Sequence, residues 1–224
     1  MKKIATIGLS VLLSVGLSVY VYMQYDYGAT EVHAMMKAPE GPKYLKGKTI
    51  VIDPGHGGID SGSLGSQGTL EKKMTLQTAK AIQQELQRRT KAQVVLTREQ
   101  DDTVSLQERV AIAERKSADL YVSIHYDAFD TAEAEGMTTY YYQDSNQKLA
   151  NTIHANLEQQ NMEMRDRGVQ FGDYYVLRRN PRPSVLLELG YISNPNDEQR
   201  MKSQDFQKQA AEAVVNGIID YLET

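Results

Sequence analysis

The sequence predicts an α/β domain, with a mainly parallel central sheet flanked by helices on both faces. Two observations indicate this fold class. Short apolar runs rich in branched residues alternate with helical patterns of about 10 to 18 residues, which is typical of βαβ units. The apolar runs are also nearly continuous, as expected for strands that are covered on both faces of a parallel sheet.

The predicted elements follow one another in a regular order. The first strand, at 48–52, is an apolar run that stops at Pro54. In the helix at 106–116, Leu106 and Val110 are expected on the inner stripe. The complete set of predicted strands is 48–52, 93–97, 120–125, 136–142 and 184–188, and the predicted helices are 72–89, 106–116, 146–161 and 205–222.

Residues 1–23 have the pattern of a signal peptide or a membrane anchor. Lys2 and Lys3 precede residues 4–23, which are 20 residues without a charge. Roughly 20 apolar residues are enough to cross a bilayer, and the preceding lysines keep the N-terminus inside. Cleavage after the small residues at 32–34 is the alternative to an uncleaved anchor. Both alternatives place the rest of the chain outside the cytoplasmic membrane.

The segment at 24–48 is predicted to be a polar linker, and 49–224 to be one domain. The linker contains Pro39, Gly41 and Pro42, whereas the segment after it has the length of an ordinary single domain. The chain has no cysteine, so an exported domain must be stabilised by its core rather than by disulfides.

The charge of the chain argues against one class of partner. The formal net charge is −4, and it becomes −6 when Lys2 and Lys3 are left out. Binding to nucleic acid calls for a basic patch, which an acidic body does not supply. We therefore expect no nucleic-acid partner.

Four ionisable residues follow strand ends or a glycine-rich loop. His56 comes after the first strand, His125 ends the third strand, Glu188 ends the last strand, and Glu71 begins the first long helix. Binding sites in open parallel sheets form beyond the carboxyl ends of the strands. Two histidines and one glutamate with an open fourth position are a usual ligand set for catalytic zinc. The remaining carboxylate would then be available as a general base.

Each of these residues also has a structural explanation. His56 could be a turn residue among glycines, and His125 a core histidine at a strand end. Glu71 could be favoured in a first helical turn by the helix dipole. Glu188 is harder to explain in this way, because a carboxylate in an apolar strand is costly to bury unless it is paired. Together the four residues favour the metal site.

Other chemistries have weaker support in the sequence. A dinucleotide-binding G-x-G-x-x-G turn fails because position 60 is aspartate, and neither a cysteine nor a G-x-S-x-G elbow is present. His33 and His154 are predicted to face solvent. Asp53 either orients His56 or caps a turn, and both alternatives stay open.

At these residues the sequence resembles the zinc-dependent type 3 family of N-acetylmuramoyl-L-alanine amidases. The resemblance covers nearly all of 49–222, and six motifs follow in the family's order. They are IDPGHGGIDSG at 52–62, LEKKMTL at 70–76, LTREQDDTVSLQERVAIA at 96–113, ADLYVSIHYDA at 118–128, DRGV at 166–169 and VLLELGYISNPND at 185–197.

The resemblance implies a site and a reaction. One zinc ion per chain would be held by His56, Glu71 and His125, with Glu188 as the catalytic carboxylate. The reaction would be hydrolysis of the amide between N-acetylmuramic acid and the L-alanine of the stem peptide in bacterial peptidoglycan. The partners would be the glycan strand and its stem peptide.

Two other functions are kept as alternatives. One is a different zinc hydrolase of peptidoglycan that resembles a carboxypeptidase, and the other is a non-catalytic wall-binding protein. We further expect a monomer with membrane contact through residues 4–23, which acts outside the cytoplasm. Roles in spore-cortex maturation, cell separation, turnover or lysis fit the sequence equally well.

Overall fold

A six-stranded sheet organises the computed structural model, which describes residues 44–160 and 162–223. The predicted signal or anchor at 1–23 and most of the predicted linker lie outside these residues. The strands are β1 (Thr49–Pro54), β2 (Gln93–Leu96), β3 (Leu120–Asp127), β4 (Met137–Tyr141), β5 (Asp166–Phe171) and β6 (Ser184–Tyr191).

Six α-helices accompany the sheet in the described part of the chain. The four predicted helices are present, and two short ones were not predicted. They are α1 (Glu71–Arg89), α2 (Leu106–Arg115), α3 (Gln147–Gln159), α4 (Tyr175–Arg178), α5 (Pro195–Met201) and α6 (Gln204–Leu222). A 3₁₀ turn at Asp144–Asn146 leads into α3.

The strand order is β2-β1-β3-β6-β4-β5. β1 pairs in parallel with β2 and β3, and β3 pairs in parallel with β6. β4 runs antiparallel to β6, and β5 is parallel to β4. The predicted mainly parallel sheet is therefore confirmed, while β5, which lies at one edge, was not predicted.

The two faces of the sheet are buried under different helices. Ile50 and Ile52 of β1 pack with α1, α3 and α6 in the larger core cluster, whereas Val51 packs with α2 and α4 in the smaller one. This alternation is the two-residue period of a strand. Fully burying each such side chain stabilises the fold by about 1.5–3 kcal/mol. The predicted covering of both faces is confirmed.

Three helices begin at side-chain caps that the sequence provides. Ser105 accepts a hydrogen bond from the Glu108 amide at the start of α2, and Ser203 accepts one from the Phe206 amide at the start of α6. Asn194 caps α5, whose first residue is a proline. Each cap satisfies backbone donors that have no partner within the helix.

Two predicted orientations are wrong. Leu106 was expected on the inner stripe of α2, but its position in the first turn leaves it half exposed. His154 was expected to face solvent, but it is buried against the sheet. Its ring bonds Thr139 of β4 at 2.9 Å and Asp166 of β5 at 2.7 Å. These two partners satisfy both ring nitrogens, so burial of the imidazole carries no unpaired polar atom.

None of the helices in 44–160 and 162–223 is long and apolar enough to cross a membrane. The longest two, α1 and α6, have 19 residues each, and both carry charged side chains. The predicted anchor at 4–23 lies outside the described part of the chain and stays a prediction.

The contact between α3 and α6 depends on one glycine. Gly217 of α6 lies so close to α3 that an added Cβ would be 2.6 Å from the Cα of Ile153. Real Cβ atoms do not approach backbone atoms this closely, so any side chain at this position would push the two helices apart.

We therefore expect Gly217→Ala to destabilise the domain. Alanine favours a helix by about 1 kcal/mol over glycine, but overpacking against a backbone costs up to about 3 kcal/mol. The net loss should be about 1–2 kcal/mol, measured by urea denaturation. Lys208→Ala on the exposed face of α6 is the control and should change stability by less than about 0.5 kcal/mol. An unchanged or higher stability of Gly217→Ala would contradict the close contact.

Candidate metal centre and cleft

The ends of three parallel strands bring the predicted site residues to one edge of the sheet. β1 ends just before His56, and β3 and β6 carry His125 and Glu188 as direct neighbours in register. Glu71 begins α1, directly after the loop that follows β1. The structure therefore places all four predicted residues at the carboxyl edge, as the strand-end argument requires.

His56, Glu71 and His125 form a close cluster. The Oε1 atom of Glu71 lies 3.1 Å from Nε2 of His56 and 3.0 Å from Nδ1 of His125. One potential ligand atom from each residue falls within 4.8 Å of the others, and the group could hold a metal ion. Two imidazole nitrogens and one carboxylate oxygen form a donor set that suits zinc.

Glu71 is held in place by the backbone around it. Its Oε2 accepts a hydrogen bond from the amide of Ser63 at 2.9 Å, and its Oε1 accepts one from the amide of Tyr126 at 3.1 Å. Burial raises the pKa of the Glu71 carboxyl, but the bonds with His125 and His56 outweigh burial and hold this pKa well below its usual value. The group is therefore a carboxylate whose Oε1 atom already faces the two histidines.

His56 is oriented by a residue that the sequence reasoning did not select. Nδ1 of His56 lies 2.8 Å from Oδ2 of Asp60, which leaves Nε2 facing Glu71. Burial lowers the pKa of the His56 ring, but the bonds to Glu71 and Asp60 outweigh burial and raise it. A carboxylate on the second nitrogen is the usual way to fix a metal-binding histidine. The only sequence signal was an acidic residue four positions after a candidate ligand.

Asp53 has no direct contact with the His56 ring among the described hydrogen bonds, and none of them caps the turn after β1. Its carboxylate is fully buried. Its partners are Thr97, Arg109, Tyr121 and Ser123.

Glycines make the close approach of the ligands possible. A Cβ on Gly55 would overlap the ring of His125, and one on Gly62 would lie 2.7 Å from Oε2 of Glu71. Gly62 also has a φ of 64°, which side chains rarely adopt. His56 has a φ of 58° without being a glycine, and this left-handed conformation costs roughly 1–3 kcal/mol.

Glu188 lies beside the cluster as an unpaired buried carboxyl group. It is 6% exposed, and its Oε2 atom has no hydrogen-bond partner within 44–160 and 162–223. Burial raises the pKa of this carboxyl well above its ordinary value, and the negative charges of Glu71 and Asp127 raise it further. A buried polar atom without a partner is unusual in a folded protein and is typical of a functional group.

A cleft of about 340 Å³ opens onto His56, His125 and Glu188. It is also lined by Tyr174, which precedes α4, by Tyr175 of α4 and by the exposed side chains of Ile59 and Leu106. The Tyr174 ring packs edge-on against Tyr140 at 5.1 Å. The exposed position of Leu106 thus has an explanation, because the side chain forms part of the cleft wall.

A mainly parallel sheet with a cluster of two histidines and a carboxylate at its edge, beside a second, unpaired carboxyl group and a cleft, is typical of metal-dependent hydrolases. Comparison with known proteins shows which family within this class the chain belongs to. The model of the N-acetylmuramoyl-L-alanine amidase family matches residues 50–220. The chain belongs to this family, and the match confirms the resemblance inferred from the six motifs.

Individual relatives agree with the family match. The probable cell wall amidase LytH of Staphylococcus aureus is 43% identical over 179 residues, which are 79% of this chain and 59% of that protein. This chain thus spans about 59% of the length of that curated relative.

Two solved structures each match about four fifths of this chain. The catalytic domain of the N-acetylmuramoyl-L-alanine amidase CwlV, from Bacillus (Paenibacillus) polymyxa var. colistinus, is 37% identical with a TM-score of 0.76, over 79% of this chain and 98% of that chain. The amidase AmiC2 of Nostoc punctiforme is 40% identical with a TM-score of 0.77, over 80% and 99%. The shared fold is therefore that of the amidase domain.

We expect Glu188→Gln to stabilise the metal-free protein. An ionised, unpaired carboxylate in this position costs about 1–3 kcal/mol, and an amide of the same shape removes the charge. Because the folded-state pKa is raised, the cost appears above the ordinary value of 4.5 and grows as pH rises. Chemical denaturation with a chelator present should show the gain at pH 8 and none below about pH 4.5.

Glu114→Gln, on the exposed face of α2, is the matched control for this measurement. The same substitution there should leave stability within about 0.5 kcal/mol at both pH values. If Glu188→Gln destabilised the metal-free protein at pH 8, the carboxyl group would have a stabilising partner that the structure does not show.

Proposed function

We propose that this protein hydrolyses the amide between N-acetylmuramic acid and the L-alanine of the stem peptide in peptidoglycan. The observation that carries the proposal is the cluster of His56, Glu71 and His125 beside the unpaired Glu188. Membership of the amidase family supports the reaction class. The name of the Staphylococcus aureus relative, a cell wall amidase, supports the wall as the place of action.

Zinc fits the donor set, and we propose one ion per chain, held by His56, Glu71 and His125. Nitrogen and carboxylate donors with an open coordination position suit catalytic zinc, whereas magnesium and calcium prefer oxygen donors alone. When bound, zinc supplies Lewis acidity: it polarises a carbonyl and makes water acidic enough to lose a proton near neutral pH.

Glu188 is proposed as the general base and then the general acid. Its carboxylate takes the proton from the attacking water and passes it to the departing amine, so that L-alanine leaves with a neutral amino group. The Oε2 atom has no hydrogen-bond partner among the described residues, so it is free to accept that proton. A carboxyl group whose pKa is raised by burial is suited to exchanging protons near neutral pH.

The other residues of the cleft position the reacting groups. Asp60 holds the His56 ring, and the Ser63 and Tyr126 amides hold Glu71, so the ligands need little rearrangement. The cleft, lined in part by Tyr174 and Tyr175, is the proposed binding place of the glycan strand and its stem peptide. We propose a monomer that acts on the glycan strand and its stem peptide outside the cytoplasmic membrane.

A zinc carboxypeptidase of the wall would use the same cluster on a different amide, and a non-catalytic wall-binding protein would use the cleft alone. Product analysis distinguishes all three. The amidase frees an intact stem peptide with L-alanine at its new amino end. A carboxypeptidase removes residues from the other end of the peptide, and a binding protein releases nothing.

We expect purified peptidoglycan to release intact stem peptides when it is incubated with the chain. The products are identified by mass spectrometry, with and without a zinc chelator. Release should stop on chelation and return when zinc is added, because the three ligands hold the ion reversibly. Cleavage within the peptide would contradict the amidase, and activity that survives complete chelation would contradict the metal.

Two kinds of substitution should separate ligand from base. Glu188→Gln should bind zinc as the wild type does but lose turnover by at least about 10²–10⁴-fold, because it removes proton transfer and no ligand. His56→Ala should lose zinc as measured by metal analysis after dialysis. Wild-type turnover by Glu188→Gln would overturn the role proposed for this residue.

A further inference from the structure

The motif at 96–113 contributes no residue to the metal cluster, yet two of its arginines lie under the loop that carries His56. Arg98 follows β2 and Arg109 lies on α2, and both are buried, at 3% exposure each. Buried guanidinium groups are rare because loss of hydration is costly unless every donor is paired. The hydrogen-bond partners of these two arginines therefore indicate their role in the protein.

Arg109 is fixed by the buried carboxylate of Asp53. Its Nη1 atom donates to Oδ1 of Asp53 at 2.6 Å, and the pair is almost completely shielded from water. The remaining acceptor positions of Asp53 are filled by the hydroxyl groups of Thr97, Tyr121 and Ser123. The carboxylate thus holds one end of the Arg109 fork in a defined place.

The other end of the Arg109 guanidinium group bonds the backbone of His56, the candidate metal ligand. Nη2 of Arg109 donates to the backbone carbonyl of His56 at 2.6 Å, and Nη1 also donates to the carbonyl of Pro54 at 2.7 Å. Arg98 donates to the carbonyl of Gly55 between them at 2.8 Å. Three consecutive carbonyl groups of the loop are therefore bound by two guanidinium groups.

This loop needs an external restraint because its own sequence does not select one conformation. His56 has left-handed backbone angles, and its neighbours Gly55 and Gly57 impose little preference of their own. The amide groups of Gly55 and Gly57 are bonded to Ile124 and Asp60, and the Asp60 carboxylate bonds the His56 ring from an exposed position. Among the described hydrogen bonds, the one that holds the carbonyl group of His56 comes from Arg109.

We propose that Arg109, fixed by Asp53, is a positioning residue that sets the backbone of His56 so that its ring faces the metal. The inference rests on the metal site of the proposed function and extends it to the motif at 96–113. Arg109 contacts the carbonyl group of the ligand residue and acts through it, without touching the metal position.

Replacing Arg109 with lysine separates the effect of its bond to Asp53 from the effect of its bond to the His56 carbonyl group. Arg109→Lys keeps a positive charge for Asp53, but a single ammonium group lacks the rigid fork that spans from Asp53 to the His56 carbonyl. The ion pair that supports the fold is retained, whereas the restraint on His56 is lost. Arg115→Lys is the matched control, since Arg115 is on the same helix and, among the described residues, pairs with the exposed Glu108 alone.

The experiment compares zinc affinity, by competition with a chromophoric chelator, and thermal unfolding of the metal-free proteins. Arg109→Lys should bind zinc about 10–100-fold more weakly than the wild type, the range found when a partner of a ligand is removed. Arg115→Lys should bind zinc as the wild type does. The absorption spectrum of cobalt in the site should change in Arg109→Lys alone, because ligand geometry differs.

A purely structural role gives a different result. Arg109→Lys would then unfold at a lower temperature, while its folded fraction would keep wild-type zinc affinity and the wild-type cobalt spectrum. That outcome would overturn the proposal. If Arg109→Lys fails to fold in buffer alone, the same comparison of wild type, Arg109→Lys and Arg115→Lys is made in sucrose, an osmolyte that favours the folded state. Zinc affinity about 10–100-fold below the wild type under that condition supports the proposal, and wild-type affinity overturns it.

The readout also separates this inference from the proposed function. If the wild-type protein does not bind zinc, the proposed metal site is wrong. If the wild-type protein binds zinc and Arg109→Lys binds it equally well, only the positioning role proposed for Arg109 is wrong.

Discussion

The buried carboxylate of Asp53 is the interaction on which the arrangement of the site depends. An ion removed from water costs several kcal/mol unless it is fully paired. Asp53 meets this requirement with donors from the end of β2, from β3 and from α2. Because these donors come from three separate elements, the carboxylate is satisfied only when β1, β2, β3 and α2 have assembled correctly. The same bonds place Arg109 beneath the loop of His56.

The sequence predicts the parts of the fold that are long, apolar and periodic. Five of the six strands and all four long helices were predicted. Buried strands show in the sequence as apolar runs, and helices that bury one face show apolar residues about every four positions. β5 was missed because it is a half-exposed edge strand with a charged start and a glycine. α4 and α5, with four and seven residues, are too short to show a helical period. His154 was misjudged because its partners lie on β4 and β5, and its contact with them depends on how α3 packs against the sheet.

The site could be predicted in outline and not in detail. The strand-end rule brought His56, His125 and Glu188 to one edge without knowledge of strand order, since any parallel order gives this result. The contact between His56 and Asp60 depends on a left-handed backbone within a glycine-rich loop, and no composition rule encodes it. The bonds from Arg98 and Arg109 to the loop carbonyls span more than 40 residues of sequence and require the assembled sheet.

The edge strand β5 has a consequence for behaviour at high concentration. An exposed edge offers unpaired amide and carbonyl groups to any passing strand, and long flat edges therefore promote aggregation. β5 begins with the charged pair Asp166 and Arg167, bends at Gly168 with a φ of 77°, and shifts register against β4. Each of these features interrupts a regular ladder. This side of the sheet is a poor template for strand addition, so pairing of crowded copies through β5 is disfavoured.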